Sequence, residues 1–341
     1  MNTGGGDALE HLVGRRVALR HRIGERAGRP LYTDAVGELS AVDAGLVVHT
    51  RRGPVRVEPD AVVAVRAIPD PVPRRASWAA VARLENLCAD AWPARVDRPL
   101  GAWRLRAAGG FTGRANAALA VGDPGLPTPA ALDAVRAFAA EHGLPPRVHA
   151  PMGSPWDRAV ADAGWVLDAG HEAGAEVAVL VADLDRLAAA GRSRDRRPID
   201  GSGQERRSGS PNADHAVGLS DRPTDAWYAL ALGRGPTPDE RYVLDPGARL
   251  RTAFGLVRGT GVLRAAVVGD HLHLSRLHVR PEARHGGVAT ALTAAAAAWG
   301  REHGARWAVL QVALHNTAAR AFYDRLGTTE HHRYRYLVPP I

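Results

Sequence analysis

Lysine is absent from this chain of 341 residues, and cysteine occurs once, at Cys88. A single cysteine excludes an intramolecular disulfide framework and any metal site built from several thiolates. Aromatic residues are only 5% of the sequence, and no apolar run reaches the roughly 18 residues that a membrane span requires. The glycine-rich start has no apolar core typical of a signal peptide. We therefore expect a cytoplasmic protein with no membrane partner and no metal.

The positive charge is carried by arginine. The formal net charge is +8, but the arginines are scattered along the chain and nearly balanced by 36 acidic residues. A nucleic-acid surface usually gathers its cations on one face together with aromatic residues. Nucleic acid is therefore not the expected partner. A non-catalytic protein that binds nucleic acid or another partner stays open as an alternative.

A predicted strand runs through a turn directly into an Ala-rich helix in the segment VRPEARHGGVATAL, residues 279–292. Gly286 and Gly287 let the backbone turn without a Cβ in the way, so several amide groups can point at one anion. A helix that begins near Val288 adds its unpaired N-terminal amides and the positive end of its dipole. Arg284 adds a full positive charge. The segment therefore predicts a phosphate-binding turn.

A second pattern follows downstream. The apolar run WAVLQVAL (307–314) predicts a buried strand, and NTAARAFYDRL predicts a helix that begins at Asn316 and ends at Gly327. The spacings R-x-x-G-x-A from Arg284 and N-x-x-A-x-x-x-Y-x-x-x-G from Asn316 both match the GNAT acetyltransferases, and this part of the chain resembles that superfamily. Thr328 departs from the family, which usually has Phe after that glycine.

The resemblance implies roles for individual residues. Acetyl-CoA would pair with the backbone of the strand before the turn, whose amides would also face the thioester carbonyl as an oxyanion hole. Its pyrophosphate would lie on the turn, and Asn316 would contact the pantetheine or the sulfur. Tyr323 occupies the position of the general acid that protonates the departing thiolate. The expected acetyl-CoA-binding residues are Leu277, His278, Val279, Arg284, His285, Gly286, Gly287, Val288, Ala289, Thr290 and Asn316.

The strand HLHLSRLHV (271–279) contains the candidate base. Strict alternation places the odd-numbered residues, including His273 and Leu277, on one face and the even-numbered residues, including Arg276 and His278, on the other. Histidine titrates near pH ~6.5, and some GNAT enzymes for small amines have histidines at matching points of this strand. His273 is therefore the candidate general base. A hydrogen-bonded structural histidine, or a water chain with no dedicated base, stays open.

The segment HHRYRY (331–336) predicts a final strand with Arg333 and Arg335 on one face and the tyrosines on the other. If the cationic face borders the acceptor site, these arginines could hold a substrate carboxylate through bidentate hydrogen bonds. The alternative is a solvated edge strand whose tyrosines pack inward. GGFTGRAN could also reach the acceptor site through Arg114 and Asn116, or form a structural hairpin.

The predicted fold class is α+β (mixed α/β) in several domains. Five short β-like runs within residues 8–70 resemble the SH3-like barrel that is fused to one bacterial GNAT subgroup. Residues 74–190 parallel the order of elements in the C-terminal half but lack R-x-x-G-x-G and the general-acid tyrosine, so they resemble a degenerate GNAT fold. Residues 191–224 have the composition of a disordered linker. Residues 225–341 are the predicted catalytic domain.

The resemblance thus implies an acetyl-CoA-dependent N-acetyltransferase in which a primary amine attacks the thioester directly, within a ternary complex. The acceptor is either a small amino acid such as glutamate, which suits an arginine face, or a lysine of a histone-type protein, which needs an open groove. The sequence gives no indication of the oligomeric state.

Overall fold

The computed structural model describes residues 12–42, 45–50, 53–68, 76–190 and 216–340. The chain divides into two compact units, residues 1–74 and 75–341. Among the described residues, no helix is long and apolar enough to cross a membrane. Residues 191–215, which are most of the predicted linker, lie outside the described residues. The sequence also predicts a hairpin turn at Asp43-Ala44-Gly45, and its first two residues lie outside them as well.

The first unit is an antiparallel sheet with the strand order β4-β3-β2-β1-β5. Its strands are β1 (Arg16–Arg26), β2 (Arg29–Val42), β3 (Gly45–Thr50), β4 (Gly53–Val57) and β5 (Val62–Ala67). Leu19, Leu39 and Val48 are fully buried in the apolar cluster of this unit. The five predicted strands are confirmed, but the closed barrel is wrong. In the described residues β4 and β5 stay at opposite edges, and β5 pairs with β1 only from Val17 to His21.

The second unit begins with a helix and a series of short strands. The strands are β6 (Val96–Leu100), β7 (Trp103–Ala107), β8 (Ala118–Leu119), β9 (Val148–Pro151), β10 (Val166–Leu167) and β11 (Glu176–Asp183). The helices are α1 (Trp78–Ala91), α2 (Thr128–Glu141), α3 (Pro155–Asp162) and α4 (Leu184–Ala190). The Ser77 side chain caps α1 by accepting from the Ala80 N–H, which is why this helix begins at Trp78.

The C-terminal half of this unit also contains three successive strands followed by a helix, a strand, a helix and a final strand. Its strands are β12 (Val217–Ser220), β13 (Arg251–Val257), β14 (Gly261–Val268), β15 (His271–Val279), β16 (Trp307–Ala313) and β17 (Thr329–Val338). Its helices are α5 (Asp225–Leu232), α6 (Pro238–Leu244), α7 (Val288–Glu302) and α8 (Thr317–Arg325). Thr237 and Glu240 form a capping box that begins α6.

All strands of the second unit belong to one twelve-stranded sheet, in the order β12-β13-β14-β15-β16-β11-β17-β9-β8-β7-β6, with β10 paired to β17. The two halves exchange their last strands: β11 lies against β16 of the C-terminal half, and β17 lies between β11 and β9. Helices α4, α7 and α8 pack their apolar residues on one face of the sheet. Helix α1 packs on the other face through Leu84 and Cys88.

Three expectations about local structure need correction. The hairpin of β6 and β7 was missed, because VDRPL is mostly exposed and carries little apolar signal. Helix α6 was also missed. Residues 217–220, expected within a disordered linker, form β12 and pair with β13 from Phe254 to Val257, because Val217 packs against the sheet core.

Candidate active site

The two central parallel strands of the C-terminal half separate part-way along their length. β15 pairs with β16 only where His271–Leu274 lies beside Trp307–Leu310. Beyond Leu274, β15 continues to Val279 without a described strand on that side. The free edge therefore offers backbone donors and acceptors to an extended ligand that enters between the strands.

A β-bulge at Arg276 reshapes that edge. The register between β14 and β15 shifts between Val262 and Arg264, and Arg276 has a φ of 53°. The extra residue reverses the alternation, so Leu277 and Val279 pack on the same apolar cluster as Leu272 and Leu274. Strict alternation through the strand was therefore wrong beyond Ser275.

The turn after β15 leads into an uncapped helix. Gly287 is the N-cap of α7 with a φ of 98°, and no side chain caps this helix. The first helical hydrogen bond runs from the Ala291 N–H to the Gly287 carbonyl at 2.9 Å. The amides of Val288, Ala289 and Thr290 precede it and therefore lack an α-helical acceptor, which is the arrangement that binds anions at helix N-termini.

Arg284 and His285 are exposed on this turn. The Arg284 Nε donates to the Val279 carbonyl at 3.3 Å, which holds the guanidinium beside the end of β15. His285 has a φ of 63°. Four described non-glycine residues have a positive φ. Three of them are His285 in this turn, Arg276 at the bulge of β15 and Thr112 in the loop 109–113. Such conformations concentrate at functional sites.

Helix α8 presents the two other predicted residues. Asn316 is exposed, and its Oδ1 accepts from the Ala319 N–H at 3.1 Å, so it is the N-cap. Tyr323 of α8 is 6% exposed and belongs to the apolar cluster that α7 and α8 form with the sheet. Its ring packs edge-on against that of Phe322. Burial raises the pKa of the Tyr323 phenol, so the hydroxyl remains protonated at neutral pH.

His273 lies on the opposite face of the sheet, toward α1. Its side chain is completely buried, and the ring centroid is 6.5 Å from that of Trp92. Burial and then the positive charges of Arg114 and Arg264 hold the pKa of His273 well below its usual range. The imidazole is therefore neutral at pH 7. Its role as a base stays a prediction, which requires a water molecule to reach the completely buried ring.

A cavity of about 630 Å³ lies between the two halves of the second unit. Its walls are the loop 109–113, Arg147, the loop 170–173, and the start of α6 with the connection that precedes it. Phe111 lines the cavity, and the Arg276 guanidinium lies 5.9 Å from the centre of its ring. Phe111 therefore stands between the cavity and the bulge of β15.

Arg114 links the same loop to β16. Its Nη1 donates to Gln311 Oε1 at 3.0 Å, just beyond the last residue of β16 that pairs with β15. Asn116 has a structural role instead: its side chain accepts from the Ala108 and Gly110 N–H groups and donates to two carbonyls of the loop. Thus Arg114 reaches the site region and Asn116 holds the loop.

The predicted substrate arginines of β17 are already paired. Arg333 binds Glu330 with its Nε 2.7 Å from Oε1, and Arg335 binds the buried Asp157 of α3 at 2.6 Å. Tyr334 and Tyr336 lie on the opposite face and are buried. The predicted faces of this strand are confirmed. The substrate role stays a prediction, and the ion pairs count against it.

Comparison with known proteins shows the family to which the chain belongs. Residues 79–337 match the family model described as "Probable histone acetyltransferase Rv0428c C-terminal", and residues 11–66 match "Rv0428c N-terminal Sm-like domain". The chain belongs to the Rv0428c family. It is 31% identical, over 332 residues and 95% of each chain, to the probable histone acetyltransferase Rv0428c of Mycobacterium tuberculosis.

Among solved structures, this Rv0428c-family chain is similar to a GCN5-related N-acetyltransferase from Kribbella flavida, with 16% identity and a TM-score of 0.51 over 76% of this chain and 95% of that one. A GCN5-related N-acetyltransferase from Sphaerobacter thermophilus gives 17% identity and a TM-score of 0.41 over 62% and 69%. The first likeness shows a GNAT-type fold. The N-terminal unit is described by its family model as Sm-like, where SH3-like was expected.

Sequence reasoning missed the bulge at Arg276 and the connection of α5 to α6. The bulge has no glycine to indicate it. The capping-box spacing of Thr237 and Glu240, after the Gly-Pro of GRGPTPDE, was a usable signal for the second.

Proposed function

We propose that this protein is an acetyl-CoA-dependent N-acetyltransferase that transfers the acetyl group directly to a primary amine in a ternary complex. One observation carries the proposal: the free edge of β15 leads into an uncapped helix N-terminus flanked by Arg284. A strand edge suits the amide-rich pantetheine arm, and the helix N-terminus suits a pyrophosphate.

The residues present fit such a ligand. The amides of Val288, Ala289 and Thr290, together with Arg284, would hold the phosphates. Backbone amides at Leu277 to Val279 would hold the thioester carbonyl and the oxyanion that forms from it. Asn316 stands at the start of α8, where its free amide NH₂ would contact the pantetheine.

The reaction requires one bond to form and one to break. The amine nitrogen attacks the thioester carbon, the carbon–sulfur bond breaks, and the thiolate takes the proton of the Tyr323 hydroxyl. The amine loses its proton to solvent or, through water, to His273. The raised pKa of Tyr323 keeps its proton available at neutral pH, although it makes the transfer uphill.

The cavity lined by Phe111 would receive the amine. In this proposal the N-terminal half of the second unit is a degenerate copy of the fold that binds no acetyl-CoA and supplies acceptor-site walls. The acceptor is an amino acid such as glutamate. The printed name of the 31% identical relative favours a second candidate, a lysine of a histone-type protein.

The test is thiol release from acetyl-CoA by the full-length chain across a panel of amines, with hydrolysis in the absence of amine subtracted. Amine-dependent thiol release with formation of the acetamide is expected. Binding of nucleic acid that weakens with salt, together with no thiol release from any amine, would favour the non-catalytic alternative.

A further inference from the structure

Three arginines surround a pair of stacked aromatic rings beside the bulge of β15. Trp92 and Phe111 have ring centroids 6.1 Å apart. Arg114 and Arg264 lie over the Trp92 ring at 4.8 and 5.1 Å, and Arg276 lies over Phe111 at 5.9 Å. We call Arg114, Arg264 and Arg276 the arginine cluster.

None of the three forms an ion pair with a carboxylate in the described part of the chain. Their hydrogen bonds go to neutral acceptors: Arg114 to Gln311, Arg264 to the carbonyls of Leu244 and Ala91, and Arg276 to the carbonyl of Ala231. Arginines nearby are different. Arg147 is paired with Asp168, and Arg234 with Glu240, both at 2.7 Å.

The missing counter-charge has an electrostatic effect. Arg264 is fully buried, with one Nη atom lacking any partner. Burial and then the charge of Arg114 lower the pKa of both Arg264 and Arg276. Aromatic faces attract cations but do not neutralise them. Because buried charges are normally paired, the cluster lacks, among the described residues, the negative partner that such charges usually have.

The position of the cluster decides which anion. In the proposed complex the acetyl-CoA phosphates lie on the turn before α7, at the far end of β15, and the pantetheine arm carries no charge. The cluster lies instead where β15 and β16 part, since Arg276 is at the bulge and Arg114 binds Gln311 just beyond the last paired residue of β16. Phe111, beside Arg276, also lines the cavity that would receive the acceptor. A guanidinium matches a planar carboxylate with two parallel hydrogen bonds.

We propose that the acceptor is an amine that carries a carboxylate, and that Arg114 and Arg276 bind this carboxylate while the amine points at the free edge of β15. Arg264, buried against Trp92, adds a third positive charge. This inference rests on the proposed N-acetyltransferase function. It makes Arg114, which comes from the half without an acetyl-CoA turn, a specificity-determining residue of the other half.

The experiment compares each of several amino acids, glutamate included, with its own carboxamide, and with a histone-tail peptide, by thiol release from the full-length chain. We expect the acids to be acetylated in preference to their amides. Arg114→Gln and, separately, Arg276→Gln should raise KM for the acids about ten- to a hundredfold, as loss of a charge-assisted bond predicts. The readout is the ratio of kcat/KM for each acid to that for its amide, because a change common to both substrates does not report on the carboxylate.

Two further variants keep the result decisive. Arg114→Lys retains the charge without the fork and should retain part of the preference if Arg114→Gln does not fold. Arg98→Gln is the matched control, because Arg98 also lies over an aromatic ring, Phe138 at 5.0 Å, but is exposed and paired with Glu141. It should leave the ratio of kcat/KM for acid to amide unchanged.

The inference and the function fail in different ways. The carboxylate inference is overturned by equal rates on acids and amides, or by a preference for the histone peptide that Arg114→Gln does not alter. Neither result contradicts the proposed acetyltransferase function. No amine-dependent thiol release, with no acetyl-CoA binding by calorimetry, overturns both.

Discussion

Each half of the second unit contains three successive strands followed by a helix, a strand and a helix, but the connection from the third strand to the helix differs between them. After β15 the strand edge is free, and the turn carries Arg284 and a glycine N-cap. After β8 the neighbouring strand stays paired, since Ala118 and Ala120 both donate to β9-side carbonyls at 2.9 Å. The following loop carries Asp123, whose carboxylate accepts from the Gly125 N–H.

The helices that follow differ in the same sense. α2 has Pro at the start of its first turn, which removes one of the amides that an anion would use. α7 keeps all of its first amides. We therefore expect the connection after β15, and not the one after β8, to bind a phosphate.

The largest effect is expected at Tyr323, which has no tyrosine counterpart in α3. Tyr323→Phe removes the proton donor but keeps the packing against Phe322. We expect kcat to fall about a hundredfold, with acetyl-CoA affinity unchanged, in steady-state thiol release. Unchanged kcat would remove Tyr323 as the general acid.

The next effect is on acetyl-CoA affinity at Gly287. Gly287→Val places a β-branched residue at a φ of 98°, which costs about 1 to 2 kcal/mol and disturbs the amide cluster, so we expect affinity to fall about ten- to thirtyfold. Gly125→Val is the matched control in the other half, with a φ of 71°. An acetyl-CoA affinity, measured by calorimetry, that falls equally in both variants would contradict the assigned difference between the two halves.

A smaller loss is expected for Arg284→Gln. The side chain is exposed, so its charge acts through water, and we expect a three- to tenfold weaker Kd that converges on wild type at high salt. Arg136→Gln on α2, also exposed and paired with Asp133, should have no effect. A salt-independent loss at Arg284 would mean that its role is not electrostatic.

The smallest effect concerns stability and pH. Burial lowers the pKa of both His273 and His149, one in each half. A lowered histidine pKa gives stability that is present above the unfolded value of about 6.5 and is lost as the pH falls below it. The free energy of unfolding should therefore decrease from pH 8 to pH 5. His273→Asn should flatten this slope in urea titrations, and an unchanged slope would contradict the assignment.

The sequence predicted what local chemistry determines. The turn at Gly286 and Gly287 and the start of α7 at Val288 follow from glycine conformational freedom and helix-terminal rules, and both lie where expected. The N-cap role of Asn316 likewise follows from its own side chain.

The sequence did not predict what depends on distant partners. The pairing of Arg335 with Asp157 joins residues 178 apart, and the exchange of β11 and β17 depends on the packing of both halves. The bulge at Arg276 depends on the register with β14 rather than on a residue that favours it. For this reason sequence reasoning offered Arg333, Arg335 and Arg114 as cationic acceptor contacts but gave no role to Arg276 at the bulge.

The most direct test of the central claim is calorimetric titration of the full-length chain with acetyl-CoA. We predict one site per chain, weakened by Gly287→Val and unchanged by Gly125→Val. Two sites per chain, or a site that survives Gly287→Val and is lost in Gly125→Val, would contradict the assignment of acetyl-CoA binding to the C-terminal half.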